Sequence, residues 1–200
     1  PKPITQTQFV LKTVAEEMMR PKSRYFDEHE HEIPWDYIEF MHSAMKAMGG
    51  NSLAPRENGG EKEKDPEKEK RPPIGYQLIA AQLEALSWGD VGMYHCLPGG
   101  GLGAAAVHSA GTPDQRAKFL SRFNGDKPTF AAMCLTEAGA GSDNSAIRTR
   151  AVLDEKTNEW IINGEKIFVT GGDKSFSEYE KLGKGFLVVW ASIDPSAGRA

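Results

Sequence analysis

A chain of 200 residues with 39% hydrophobic and 26% charged residues has the composition of a globular protein with a buried core, not of a disordered segment. Its 24 basic and 28 acidic residues leave a formal net charge of −4, the wrong sign for a nucleic-acid partner. No run approaches the roughly 18 apolar residues needed to span a membrane, and Cys96 and Cys134 are too few for a disulfide scaffold or a zinc site. They read as free thiols of a reducing compartment. The chain opens Pro1-Lys2-Pro3 without an initiator Met or an apolar signal core, so its start reads as processed or incomplete.

The first part reads as helices. Thr7 is placed to cap a helix running to about Arg20, with Phe9, Val10, Val14 and Met18 on one face and Pro21 after its end. Ile33-Pro34 opens a second helix with Pro in the first turn, where a missing N–H is harmless. Its apolar face is Ile38, Met41, Met45 and Met48, and Gly49-Gly50 supplies the stop. Glu61 to Arg71 alternates five acids with five bases around Pro66; with no apolar stripe, it reads as part of a solvated loop over 57–73. A third helix is expected from about Ile74 to Trp88, burying Ile79, Leu83 and Leu86, and a fourth, of small residues, from Leu102 to Ser109. Thr112-Pro113-Asp114-Gln115 then has the pattern of a capping box, opening a helix that carries Phe119, Leu120 and Phe123 and ends near Asn124-Gly125.

After Gly125 the period changes. Thr129–Leu135, Ile147–Leu153, Trp160–Ile162, Ile167–Thr170 and Phe186–Ser192 are short, rich in β-branched or aromatic residues, and separated by turn residues. Asn163-Gly164 between two apolar runs predicts a tight hairpin. Helices first and strands second predict an α+β fold, with a helical domain over 1–127 and a β-domain over 128–200. Phe186–Trp190 is expected to be an apolar strand without its sheet neighbours, which would make the chain prone to aggregate.

Two glycine-rich stretches could carry a ligand. Gly99-Gly100-Gly101-Leu102-Gly103-Ala104 fits the outline of a dinucleotide fingerprint, but a strand in front and an acid about twenty residues later are both missing. It reads as a helix connection. Thr136-Glu137-Ala138-Gly139-Ala140-Gly141-Ser142-Asp143 lies between two strands, so it is not a loop cradling phosphate at a helix N-terminus. Gly139 and Gly141 let the backbone approach a flat ligand, and Thr136 and Ser142 add hydroxyls at the two ends. Composition leaves a plain polar turn and a binding site equally open. His95 and His108 have no partner pattern and read as ordinary helix residues.

The run Met133 to Asp143 resembles the signature of the acyl-CoA dehydrogenase family, whose core is T-E-P-G-A-G-S-D, and Trp160 to Thr170 resembles that family's I-N-G-x-K-x-W-I-T-N block. Gly111-Thr112-Pro113-Asp114-Gln115 is similar to the helix start G-T-x-x-Q ahead of the signature, and Asp27 to Pro34 to an early acidic stretch. Ala138, Phe168 and Gly171 depart from the family's usual Pro, Trp and Asn.

The resemblance implies a helical N-terminal domain and an incomplete antiparallel β-barrel-like domain that covers FAD. It places Met133, Leu135 and Thr136 along the isoalloxazine ring, Ser142 between the FAD phosphates and the thioester end of an acyl-CoA substrate, and Gly141 among the cofactor-binding residues. Phe168, Val169 and Thr170 fall near the N5 region. Thr136 is implied to donate to the pyrimidine edge of the ring, where a reduced flavin gains negative charge near N1 and C2=O. The implied reaction is α,β-dehydrogenation of the thioester, with electrons passed to an electron-transfer flavoprotein or similar acceptor, by a homo- or hetero-oligomer in the cytoplasm or mitochondrial matrix. The implied base is a carboxylate of a C-terminal helical domain beyond Ala200, so no residue here is assigned as that base, Glu137 reads as structural, and the chain alone is expected to be inactive. Two alternatives stay open: an oxidase on the same fold, and a short non-catalytic subunit completing a partner's flavin site.

Overall fold

The structure, a computed structural model, describes residues 2–47, 75–99, 101–176 and 180–196. The chain is α+β. Helix α1 (Lys2–Val14) passes through one π-helical turn, Ala15–Met19, into α2 (Arg20–Glu28); α3 is Trp35–Ala47 and α4 is Gly75–His95. Then come α5 (Gly101–Ala110), α6 (Pro113–Leu120) with a 3-10 turn over Ser121–Asn124, and strands β1 (Ala131–Cys134), β2 (Arg150–Asp154) and β3 (Glu159–Asn163). A short helix α7 (Gly172–Phe176) and strand β4 (Phe186–Val189) complete the order. Among the described residues, no helix is long and apolar enough to cross a membrane.

The chain divides into two compact units, one containing α1, α2 and α4, the other containing α5, α6 and all four strands. In the first unit the expected helix does not stop at Pro21. The π turn, closed by the Arg20 N–H on the Ala15 carbonyl, places Pro21 in the first turn of α2, where its missing N–H leaves no gap in the ladder. The same turn shifts the buried face to Val14, Ala15 and Met19, leaving Phe9 and Val10 exposed. Ala15 faces Gly89 of α4, where an added Cβ would lie 2.8 Å from the Ala15 Cβ.

Helix α4 runs past Trp88 because Asp90 interrupts it and restarts it at once. The Asp90 backbone is extended, and its carboxylate accepts the Met93 N–H at 2.7 Å as a cap does. Leu86, Ala81 and Met93 are buried, whereas the expected core residues Ile79 and Leu83 are exposed. In α3, Tyr37, Ile38 and Met41 are buried as the spacing predicts for the latter two, and Met45 is half-buried. Met48, Gly49-Gly50, the loop 57–73 and Ile74 lie outside the described residues.

In the second unit the capping box forms as expected: Thr112 Oγ1 accepts the Gln115 N–H at 3.2 Å, and the Gln115 side chain accepts the Thr112 N–H at 2.9 Å. Helix α5 lies on β1 so closely that a Cβ at Gly103 would sit 2.6 Å from the Ala131 carbonyl oxygen. Ala104, Leu120, Phe123, Ala131 and Phe186 form the buried core there.

The expected antiparallel, barrel-like sheet is present as two separate pairs, and among the described residues no barrel closes. Strands β1 and β4 run parallel, Ala131 opposite Phe186 and Cys134 opposite Val189. The long connection between them supplies the crossover that parallel pairing requires. Phe186–Trp190 therefore has a sheet neighbour, contrary to expectation. Strands β2 and β3 are antiparallel, Arg150 opposite Asn163 and Asp154 opposite Glu159. The expected hairpin at Asn163-Gly164 is absent, because the turn joining this pair lies between Asp154 and Glu159 and Ile167–Thr170 forms no strand. At Phe168 the backbone is left-handed, φ 57°, which breaks any extended run.

Candidate functional site

Two segments, remote in sequence, are tied side by side in the second unit. Beyond β1 the chain makes a tight turn in which Glu137 and Ala140 exchange hydrogen bonds, N–H to carbonyl, at 3.0 and 3.1 Å. Beyond β3 the segment 164–170 returns to it: the Ile167 N–H donates to the Thr136 carbonyl at 2.9 Å. Lys166 completes the junction. Its Nζ donates to the Leu135 carbonyl at 2.9 Å and to Glu137 Oε1 at 2.7 Å.

The Glu137 carboxylate is the buried centre of this junction. Beside Lys166, it accepts the backbone N–H groups of Arg148 at 2.7 Å and Thr149 at 2.9 Å, which lead into β2. Burial alone would raise its pKa, but the Lys166 ammonium, the nearby Thr149 hydroxyl and the two backbone donors outweigh it and lower the value from 4.5 to about 2. A carboxylate held so firmly ionised and fully engaged is structural, as the sequence reading had it. It is poorly suited to accept a proton from a substrate.

The predicted site residues are distributed around the junction. Met133 is half-buried and lines an apolar groove of about 540 Å³ with Leu102, Phe119, Val188 and Trp190. Leu135 and Thr136 are half-buried, and their carbonyls are the acceptors that hold the second segment. Among the described residues neither the Leu135 nor the Thr136 N–H has a hydrogen-bond partner. Gly141 and Ser142 are exposed, and a Cβ at Gly139 or Gly141 would meet nothing within 4 Å. No packing demand within this unit explains those glycines.

Phe168 is 87% exposed on its left-handed backbone, a strained placement for a bulky side chain. Val169 is half-buried, its carbonyl accepting the Gly172 N–H at 3.1 Å, and Thr170 is exposed. The structure thus brings Leu135 and Thr136 together with Lys166 and Ile167, while Phe168 and Thr170 are exposed, Met133 opens on the groove and Ser142 on solvent. Lys166 is the residue whose part the sequence reading missed. Its signal was present in the Asn163-Gly164-Glu165-Lys166 spacing, but its acceptors lie 31 and 29 residues upstream.

Cys96 and Cys134 are both free thiols; Cys134 is buried, and burial pushes its pKa up. His95 Nδ1 lies 2.7 Å from the Val91 carbonyl, an ordinary helix contact. No cluster of three metal-ligating side chains occurs among the described residues. The Gly99 N–H donates to the Thr129 carbonyl at 2.9 Å and Gly103 packs closely against Ala131, so these two glycines serve structure.

Comparison with known proteins agrees with this geometry. Residues 132–177, the span containing both tied segments, match the family model of the acyl-CoA dehydrogenase middle domain. Over 173 residues the chain is 33% identical to a probable medium-chain specific acyl-CoA dehydrogenase 2, mitochondrial, of Caenorhabditis briggsae, covering 84% of this chain and 38% of that one. The acyl-CoA dehydrogenase of Geobacillus kaustophilus superposes with a TM-score of 0.63 at 22% identity, over 98% of this chain and 44% of that one. An acyl-CoA dehydrogenase of Bacillus anthracis complexed with FAD superposes with a TM-score of 0.53 at 21% identity, over 98% of this chain and 29% of that one. In fold, the chain is therefore an acyl-CoA dehydrogenase-like α+β protein. Its residues 132–177 belong to the acyl-CoA dehydrogenase middle-domain family, and the chain spans under half the length of these relatives.

Proposed function

We propose that the chain carries the flavin-facing portion of an FAD-dependent acyl-CoA dehydrogenase, with 1–127 as its helical domain and 128–200 as part of its β-domain. The observation that carries this is the pair of unpartnered N–H groups, Leu135 and Thr136, at the junction of two tied segments. Backbone donors left without a protein acceptor at two half-buried residues fit an acceptor-rich ligand edge. The bare backbone at Gly139 and Gly141 and the exposed Phe168 ring, on the two tied segments, are compatible with a flat aromatic ligand.

FAD would supply the hydride acceptor for α,β-dehydrogenation of an acyl-CoA thioester. In this reading Leu135 and Thr136 donate to the pyrimidine edge of the ring, where negative charge develops on reduction. Met133 and Val169 line its surroundings and limit water, and Phe168 and Thr170 stand at the second wall. Gly141 and Ser142 flank the phosphates and the thioester end. Glu137 is not the proton acceptor, being ionised, buried and fully bonded. An electron-transfer flavoprotein or similar acceptor, and an oligomer of related subunits, follow from the same reading.

The test is direct. The intact, flavin-loaded protein, mixed anaerobically with acyl-CoA thioesters, is expected to lose its yellow absorbance with at least one of them. A flavin that stays oxidised across saturated thioesters of short, medium and long chain would overturn the proposal.

A further inference from the structure

We infer that Lys166 is a positioning residue for the cofactor: through the Leu135 carbonyl it sets the direction and strength of the Thr136 N–H. This rests on the flavin reading above. The carbonyl of Leu135 and the N–H of Thr136 belong to one planar, trans peptide group, so they point in opposite directions. The Lys166 ammonium, 2.9 Å from that carbonyl, fixes the plane. The Thr136 N–H must then face away from Lys166, where no described residue accepts it.

The charge matters as well as the geometry. A carbonyl bonded to a cation polarises its peptide, and the N–H at the other end becomes a stronger donor. Glu137 makes this possible in a buried place. Both side chains of the pair are less than a tenth exposed, and the carboxylate neutralises the ammonium at 2.7 Å without displacing it from the carbonyl. The Ile167 N–H on the Thr136 carbonyl holds the next peptide in the same way, so the donor has fixed bonds on both sides.

The experiment compares FAD affinity, by flavin fluorescence, and thermal melting for the wild type, Lys166→Met, Lys166→Arg, and the double variant Glu137→Gln with Lys166→Met. The double variant removes both charges, so no uncompensated ion remains buried. Expected are FAD binding weakened about tenfold or more in Lys166→Met and in the double variant, the loss of one ordinary hydrogen bond, and substantial recovery in Lys166→Arg. The double variant is expected to melt close to the wild type while still binding poorly. Affinity that merely follows melting temperature across the set would mark a structural ion pair and overturn the inference. Wild-type-like FAD binding by Lys166→Met and the double variant would overturn it alone; a wild type that binds no FAD would remove the flavin reading beneath it.

Discussion

The second unit contains two strand pairs of similar size that are stabilised in opposite ways. The β1–β4 pair lies under α5 and α6. Phe186 is buried against Phe119 and Phe123, with ring centroids 5.1 and 5.9 Å away, and the Arg122 guanidinium donates to the Gly185 carbonyl at 2.9 Å. In the β2–β3 pair every residue of β3 is exposed, and Val152, Leu153, Trp160, Ile161 and Ile162 all show apolar surface to solvent. Fully burying one Phe contributes roughly 1.5–3 kcal/mol, whereas one cross-strand pair adds roughly 0.2–1 kcal/mol. Burial therefore fixes the first pair. The second is held by its ladder, by the bonds between Thr149, Ala151 and Ser192, and by the Glu137–Lys166 junction.

The largest disruption of this contrast is expected at that junction. Glu137→Ala strands a buried ammonium and leaves two N–H groups unpaired, which should cost about 3–5 kcal/mol in chemical denaturation. The pH dependence has a definite sign. Because the folded carboxyl titrates at about 2 and the unfolded one at 4.5, its contribution is complete above about 4.5 and is lost as pH falls toward 2. That acid-sensitive part of the stability curve should be missing from Glu137→Ala. An unchanged acid limb would show that the carboxylate does not link the two strand pairs energetically.

Next in size is a blow at the buried pair alone. Gly103→Val pushes a branched side chain toward the Ala131 carbonyl, where even a Cβ would be 2.6 Å from the oxygen. Forced displacement of α5 from β1 should cost about 1–3 kcal/mol, read as a lower denaturant midpoint. A neutral result would mean that this contact yields freely.

How much of this was legible in the sequence depends on the range of each interaction. The Thr112–Gln115 capping box is complete within four residues, and it forms as its pattern predicts. Pro21 was misleading because the π turn before it, not the proline itself, decides whether the helix continues. Asn163-Gly164 suggested a hairpin turn, but Gly164 is there for close approach: a Cβ would lie 2.3 Å from Thr149 Oγ1. At the site, composition left a plain polar turn and a ligand site equally open, and it was the likeness of both segments to one family's motifs that singled them out. The bonds joining them were hidden, because a lysine's acceptor and a strand's parallel neighbour are set by the tertiary fold.

The smallest stability effect is expected at the exposed pair, and it separates folding from association. Trp160 and Ile162 project from one face of β3, 53% and 49% exposed, and β3 is the outer strand of its pair. Replacing both by Thr supplies β-branched residues suited to a strand, so the melting transition should shift little, with each change within about 0.5 kcal/mol. Self-association should respond much more, because an apolar outer strand with free backbone groups is a template for pairing with another chain. Light scattering over a concentration series should show less association in the double variant than in the wild type. A marked fall in melting temperature with unchanged scattering would instead place Trp160 and Ile162 in the cooperative core, and the contrast between the two pairs would fail.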